Sequence, residues 1–311
     1  MTYDTIIIGA GPAGLTAAIY AGRNRLKTLV LGKDVGGQTA ISGEVENYPG
    51  VEKTQGIDLA EKMRAQAQNL ETVEVKAGEE YKVKSIEKTN NIFAVVSEKG
   101  ERYEGKTIIL TAGKDPKRLN VPGEKEFEGR GVNYCATCDA PLYRDKIVAI
   151  IGGGYSATEA AEMLSKYARE IFVLSLNEKL NGEAITLEKI ATSGKIKIIP
   201  LAETTQIIND GQKVTGVAYK DTKTGEGRQI AVEGAFVEIG SSPNTAPFGQ
   251  TIKLNQWGEV EIDRKNMTSV PGIFAAGDIT SVWGKQIVIA AGQGAQAAMA
   301  VGEYLAKLQS E

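Results

Sequence analysis

Two strand-turn-helix segments about half a chain apart, each turning on closely spaced glycines, predict an α/β protein of two domains. An apolar strand near the carboxyl end belongs with the first segment, which predicts that the second domain is inserted in the first.

The first segment, residues 5–14, reads TIIIGAGPAG: an apolar, β-branched strand running into Gly9, Gly11 and Gly14, followed by the helix-forming LTAAIYAGR. At this spacing the first glycine permits a tight turn, the second lets backbone approach a pyrophosphate, and the third allows close helix packing, while the helix amino terminus meets the negative charge. Residues 147–157 repeat the arrangement as IVAIIGGGYSA, with Gly152, Gly154 and Ala157 ahead of TEAAEMLSKY. One such match is weak. Two in strand-turn-helix context indicate two Rossmann-like, three-layer (ββα) dinucleotide-binding domains.

TIILTAG (107–113) reads as a buried strand ending on small residues, and AFVEIGSSPNT (235–245) as its counterpart in the second fold. GIFAAGD (272–278) sets Asp278 after another apolar strand, where a carboxylate can accept hydrogen bonds from ligand hydroxyls. If the residues near 9 and near 278 serve one ligand, the first domain comprises 1–114 and 246–311, with 115–245 inserted. The Pro- and Gly-containing segments PKRLNVPGE and SSPNTAPFG are then the linkers, with a composition suited to hinges.

Composition narrows the function. The net charge of -3 on 311 residues gives no basic surface for nucleic acid. The chain enters an apolar strand directly after MTYD, without the basic segment of a signal peptide, and no apolar run approaches the roughly 20 residues of a membrane span. A cytoplasmic protein is expected. There thiols are kept reduced, and its only two cysteines, Cys135 and Cys138, lie three apart in YCATCDA. With no histidine in the chain, a four-ligand zinc site would need a pair from each of two chains, so no metal site is expected. A structural disulfide would enclose too few residues to constrain much chain entropy. Redox chemistry or coincidence remains.

GAGPAG, GGQ (36–38), ENYPG (46–50), CATCD (135–139), GGGYSA, IGSSPNT and FAAGD follow, in order and spacing, the pattern of the low-molecular-weight thioredoxin reductases. The whole chain resembles that family. The resemblance implies FAD in the discontinuous domain, a redox disulfide in the inserted one, a homodimer, and electron transfer to thioredoxin. It implies that Gly9, Gly11 and Gly14 meet the FAD pyrophosphate and Asp278 the ribityl hydroxyls. Gln38, Asn47, Lys285, Gln286 and Ile287 would surround the flavin and ribityl chain, and the Val83 backbone would face the adenine. Cys138 would be the flavin-proximal sulfur and Cys135 the one that attacks the partner's disulfide. Asp139 is the nearest proton carrier, since a carboxyl group partly withdrawn from water has a raised pKa; an ordinary helix-start residue is the plainer alternative. The strand TLVLG ends at Gly32 and Lys33, without the acid that often follows the glycines by about 20 residues.

The second fingerprint departs from the family. After the strand REIFVL, NADPH users of this family carry a His-Arg-Arg run and a further Arg that grip the 2′-phosphate. Here Ser175, Leu176, Asn177 and Asn181 stand instead. Each charge-assisted hydrogen bond is worth about 1.5–3 kcal/mol, so their loss weakens NADPH binding severely. The pattern resembles the clostridial members that take electrons from reduced ferredoxin. Use of NADH, with Glu178 as the nearby acid, of weakly bound NADPH, or of oxygen by a dithiol oxidase are the alternatives. Tyr155, in the second turn, either fills the space of a pyrophosphate or faces solvent.

Overall fold

Strand β1 (Thr2–Ala10) carries Ile6, Ile7 and Ile8 in succession, all buried. Successive side chains of a strand face opposite ways. Ile7 accordingly joins an apolar cluster shared with helices, and Ile6 and Ile8 join a second cluster on the other face. A sheet covered on both faces explains why TIII shows no alternation. The computed structural model describes residues 2–41, 44–45, 47–248 and 250–308, without the side chains of Glu44, Thr137 and Cys138. Its contacts divide the chain into two units, Met1–Asp115 with Ser242–Glu311, and Pro116–Ser241.

From β1 the chain turns into α1 (Pro12–Arg23), where the first-position proline costs no hydrogen bond because the helix's first N–H groups have no internal partners. It continues through β2 (Thr28–Val35), the short pair β3 (Glu44–Val45) and β4 (Thr54–Gln55), α2 (Gly56–Gln68) and β5 (Val73–Ala77). Three antiparallel strands follow, β6 (Val83–Thr89), β7 (Ile92–Ser97) and β8 (Arg102–Leu110). The sheet runs β5-β2-β1-β8-β7-β6. The first half of β8 pairs with β7, and from Glu104 to Leu110 the strand lies parallel to β1. The antiparallel strands thereby peel away to cover the face opposite the helices, which gives the third layer.

The second unit repeats this plan. After β9 (Lys114–Pro116) come β10 (Val132–Asn133), α3 (Ala136–Asp139), β11 (Ile147–Ile151), α4 (Tyr155–Ser165), β12 (Glu170–Leu174), α5 (Ala184–Thr192) and β13 (Ile196–Ile199). An antiparallel meander follows, β14 (Ala202–Asn209), β15 (Val214–Asp221) and β16 (Gly227–Ala231), then β17 (Gly234–Val237) and β18 (Ser241–Pro243), which pairs with β9. The parallel sheet has the order β10-β17-β11-β12-β13. Val148 and Ile150 of β11 face α4 and α5, while Ala149 and Ile151 face the meander.

The chain then returns to the first unit. Strand β19 (Ile273–Ala275) lies parallel to the second half of β8, and α6 (Ile287–Leu308) packs on α1 so closely that a Cβ at Gly294 would stand 2.0 Å from the Ala13 carbonyl oxygen. The α/β class and the two dinucleotide-binding folds expected from the two glycine turns are what the chain forms. No helix among the described residues is long and apolar enough to cross a membrane.

Candidate functional site

In the second unit, β10 delivers the chain to Tyr134, Cys135 and the short α3. Cys135 is disulfide-bonded, and the chain's other cysteine, Cys138, lies one turn on, its side chain outside the described residues. The Asp139 N–H donates to the Cys135 carbonyl at 3.1 Å, and burial pushes the Asp139 carboxyl above the ordinary aspartate range. Tyr134, just before the disulfide, is braced from the other side. Its hydroxyl donates to the Glu124 carboxylate at 2.7 Å, and the Arg118 guanidinium lies 4.2 Å from its ring centroid. Glu124 is itself buried and accepts the Leu119 and Asn120 N–H groups at 2.7 and 2.6 Å. A buried carboxylate with three donors holds the approach to the disulfide in one position.

The second glycine turn lies between β11 and α4. Gly152 takes φ +145°, and a Cβ there would meet the Glu238 carbonyl oxygen at 2.1 Å, so only glycine fits. Gly154 caps α4 without a side-chain hydrogen bond. The segment after β12 folds onto this turn with neutral groups. The buried Ser175 hydroxyl accepts the Asn177 N–H at 3.0 Å, and the Asn181 N–H donates to the Gly153 carbonyl at 2.7 Å. Leu176 is exposed, and so is Tyr155, whose ring faces solvent rather than filling the turn.

An acid not singled out from the sequence lies beside both features. Glu238 follows β17, and its carboxylate accepts the Ser156 hydroxyl from α4 and the Ala136 N–H from α3. Burial raises its pKa to about 7; those two hydrogen bonds oppose the rise, and the nearby Glu159 charge adds to it.

In the first unit, Gly9 takes φ +116°, and a Cβ would stand 2.2 Å from the Thr111 carbonyl oxygen. A Cβ on Gly14 would stand 1.9 Å from the Gly9 carbonyl oxygen, so this glycine serves the helix-to-strand approach. Gly11 differs: the nearest atom to a Cβ would be the Gly36 carbonyl oxygen at 3.8 Å. The space before Gly11 is open, and the α1 amino terminus has no side-chain cap. That combination leaves N–H groups available to an anion.

A profile of the pyridine nucleotide-disulphide oxidoreductases matches residues 3–294. The chain belongs to that family. It is 38% identical over 303 residues to one component of the alkyl hydroperoxide reductase of Pseudomonas putida, covering 97% of this chain and 58% of that protein. It thus spans little more than half the length of the curated relatives it matches. Among solved structures, thioredoxin reductase of Lactococcus lactis superposes with a TM-score of 0.88 at 35% identity, covering 98% of this chain and 99% of that one. Thioredoxin reductase of T. acidophilum gives 0.84 at 38%, covering 99% of each chain. A ferredoxin-flavin thioredoxin reductase of Clostridium acetobutylicum gives 0.55 at 29%, covering 100% of each. This member of the pyridine nucleotide-disulphide oxidoreductases is a flavin-dependent, thioredoxin reductase-like disulfide oxidoreductase, and its cofactor is FAD.

The first unit fits that cofactor: besides the open space at Gly11, Asp278 presents a carboxyl group whose pKa is raised by burial against the opposing pull of Lys114 and Lys285. Lys114 Nζ lies 3.9 Å from Asp278 Oδ2. Lys285 donates to the carbonyls of Asp278, at 3.3 Å, and Thr280, and pairs with Glu259 at 3.1 Å. Asn47 donates to the Gln286 side-chain oxygen at 3.2 Å, joining the loop after β3 to the start of α6 at Ile287. Gln38 lies exposed in the turn Gly37–Thr39. Val83 buries its side chain in the core while its backbone pairs with Ser97. The sequence predicts an end to β2 at Gly32, but the strand runs to Val35, because a register shift between Ile8 and Ala10 lets Ala10 pair with Val35. Asp34 therefore stands at the strand's end, where its carboxylate accepts the Gly37 N–H at 3.1 Å.

Proposed function

We propose that this chain reduces thioredoxin through the Cys135–Cys138 disulfide, with electrons supplied by reduced ferredoxin by way of FAD, as a cytoplasmic homodimer. The observation that carries the choice of donor is the set of side chains Ser175, Leu176, Asn177 and Asn181. Ser175, Asn177 and Asn181 are neutral and tied into the turn's own hydrogen bonds, and none offers a cation for a 2′-phosphate.

When bound and reduced by two successive one-electron transfers from ferredoxin, FAD would supply the electron pair that opens the disulfide. Gly9, Gly11 and Gly14 set the α1 amino terminus against its pyrophosphate, and Asp278 accepts from the ribityl hydroxyls. Gln38, Asn47, Lys285, Gln286 and Ile287 hold the ring and ribityl chain, and the Val83 backbone meets the adenine. Cys138 takes the position toward the flavin, Cys135 attacks the partner's disulfide, and Asp139, its pKa raised by burial, gives and takes the thiol proton. On this reading residues 1–114 and 246–311 form the FAD domain and 115–245 the disulfide domain.

The test is anaerobic mixing of the yellow holoprotein with NADPH, NADH and reduced ferredoxin in turn. Bleaching of the oxidised flavin by ferredoxin alone is expected, and rapid bleaching by micromolar NADPH sinks the donor assignment. One observation favours a second reading: the 38% identity to an alkyl hydroperoxide reductase component extends over 97% of the chain. On that reading the reduced Cys135 serves a protein of a hydroperoxide-reducing system. A faster reaction with such a partner than with thioredoxin distinguishes it.

A further inference from the structure

The amino end of α4 is where a dinucleotide's pyrophosphate meets a glycine turn, because the N–H groups of the first helical turn and any hydroxyl there point outward as donors. In this chain a carboxylate has taken that hydroxyl. Ser156, second residue of α4, donates to Glu238, which also accepts the Ala136 N–H of α3. Glu238 is placed there by rigid structure. It follows β17, its N–H donates to the Ile151 carbonyl at 2.8 Å, and its own carbonyl lies against Gly152.

We propose that Glu238 is a specificity-determining residue, whose carboxylate holds the Ser156 hydroxyl beside the second glycine turn and repels the pyrophosphate of any dinucleotide, NADH as well as NADPH. The inference rests on the reading that the donor is not a nucleotide, and it supplies what the neutral side chains of Ser175, Leu176, Asn177 and Asn181 do not. Missing cations disfavour only the 2′-phosphate, whereas a negative charge at the turn disfavours the diphosphate that both coenzymes share.

The charge balance points the same way. The groups facing Glu238 are the Ser156 hydroxyl and the Glu159 carboxylate from α4 and the Ala136 N–H from α3. Glu159 is a second acid one turn along α4, its own carboxyl pushed up by burial and by Glu183 and Glu162. An anion arriving at the exposed Ser156 meets two carboxylates, and like charges brought together disfavour one another. With the Glu238 pKa near 7, the barrier relaxes as the pH falls.

The test uses FAD-loaded holoprotein and ADP-ribose, whose pyrophosphate stays ionised across the range while the 2′-phosphate complication is absent. Calorimetric titration of wild type, Glu238→Gln and Glu238→Ala at pH 8 is expected to show at least tenfold tighter binding in both variants. Wild-type affinity is expected to rise severalfold from pH 8 to pH 6, and that of Glu238→Gln to change less. Unchanged affinity in both variants overturns the assignment. The donor reading fails separately, through wild-type flavin bleached by NADPH; an unbleached wild type with unchanged variants sinks only the role of Glu238.

Discussion

The Asp139 N–H closes the first turn of the disulfide helix on the Cys135 carbonyl at 3.1 Å, which carries the half-buried Asp139 carboxyl on the same turn as the two cysteines. Burial raises its pKa, so Asp139 keeps a proton more readily than an exposed aspartate does at the same pH. Replacing it with asparagine keeps the shape and removes the titration. Asp139→Asn is expected to retain bound flavin and to slow reduction of a protein disulfide by roughly 10²-fold or more, the scale of a lost general acid. Stopped-flow rates of thiol appearance check this, and unchanged turnover removes the role.

The glycines of the first turn separate into those the fold needs and one the ligand needs. Gly9→Ala forces a Cβ to 2.2 Å from the Thr111 carbonyl oxygen at a backbone angle that side chains avoid. A loss of about 3 kcal/mol or more is expected from clash and strain together. Gly11→Ala meets no atom closer than 3.8 Å, so the apoprotein is expected to melt like wild type while FAD affinity falls at least tenfold. Thermal melts of apoprotein paired with flavin titrations read the two effects apart.

This division marks how far the sequence reached. TIIIGAGPAG and IVAIIGGGYSA announced both folds because a strand, a turn with special backbone angles and a helix each leave a local signature. GIFAAGD signalled the return to the first sheet, and β19 does pair with β8. Glu238 and Glu124 carried no such signature. Each is a single acid beside apolar or loop residues, and its importance arises from Ser156, Ala136 and Tyr134, which come near only after folding. Asp34 escaped notice for a different reason: the irregular pairing that extends β2 past Gly32 is a property of two strands together.

Asp278 supplies a test of the flavin assignment. Its carboxyl is withdrawn from water, with Lys114 3.9 Å away and Lys285 on its carbonyl, so the group is poised for hydroxyl donors rather than for a cation alone. Hydrogen bonds to a charged group contribute about 1.5–3 kcal/mol. Asp278→Ala is therefore expected to weaken FAD binding by roughly 10- to 100-fold. Titration of apoprotein with FAD, followed by flavin fluorescence, measures it; wild-type affinity in the variant removes Asp278 from the contact set.

Glu238 also makes stability depend on pH, with a definite sign. Its folded pKa, about 7, lies above the ordinary value of 4.5, so the native state holds this proton more tightly than the unfolded chain does. The stabilisation is complete below the unfolded value. It declines as pH rises through the window between the two, because the unfolded chain ionises first and the native carboxylate then carries a burial cost that its hydrogen bonds from Ser156 and Ala136 only partly offset. At about 1.4 kcal/mol per unit the full decline is at most about 3.5 kcal/mol, and less where water reaches the half-buried group. Glu238→Gln cannot ionise. Relative to wild type, its urea midpoint is expected to be higher at pH 8 than at pH 5, with the difference opening between those values. A difference that stays constant with pH places the raised pKa elsewhere.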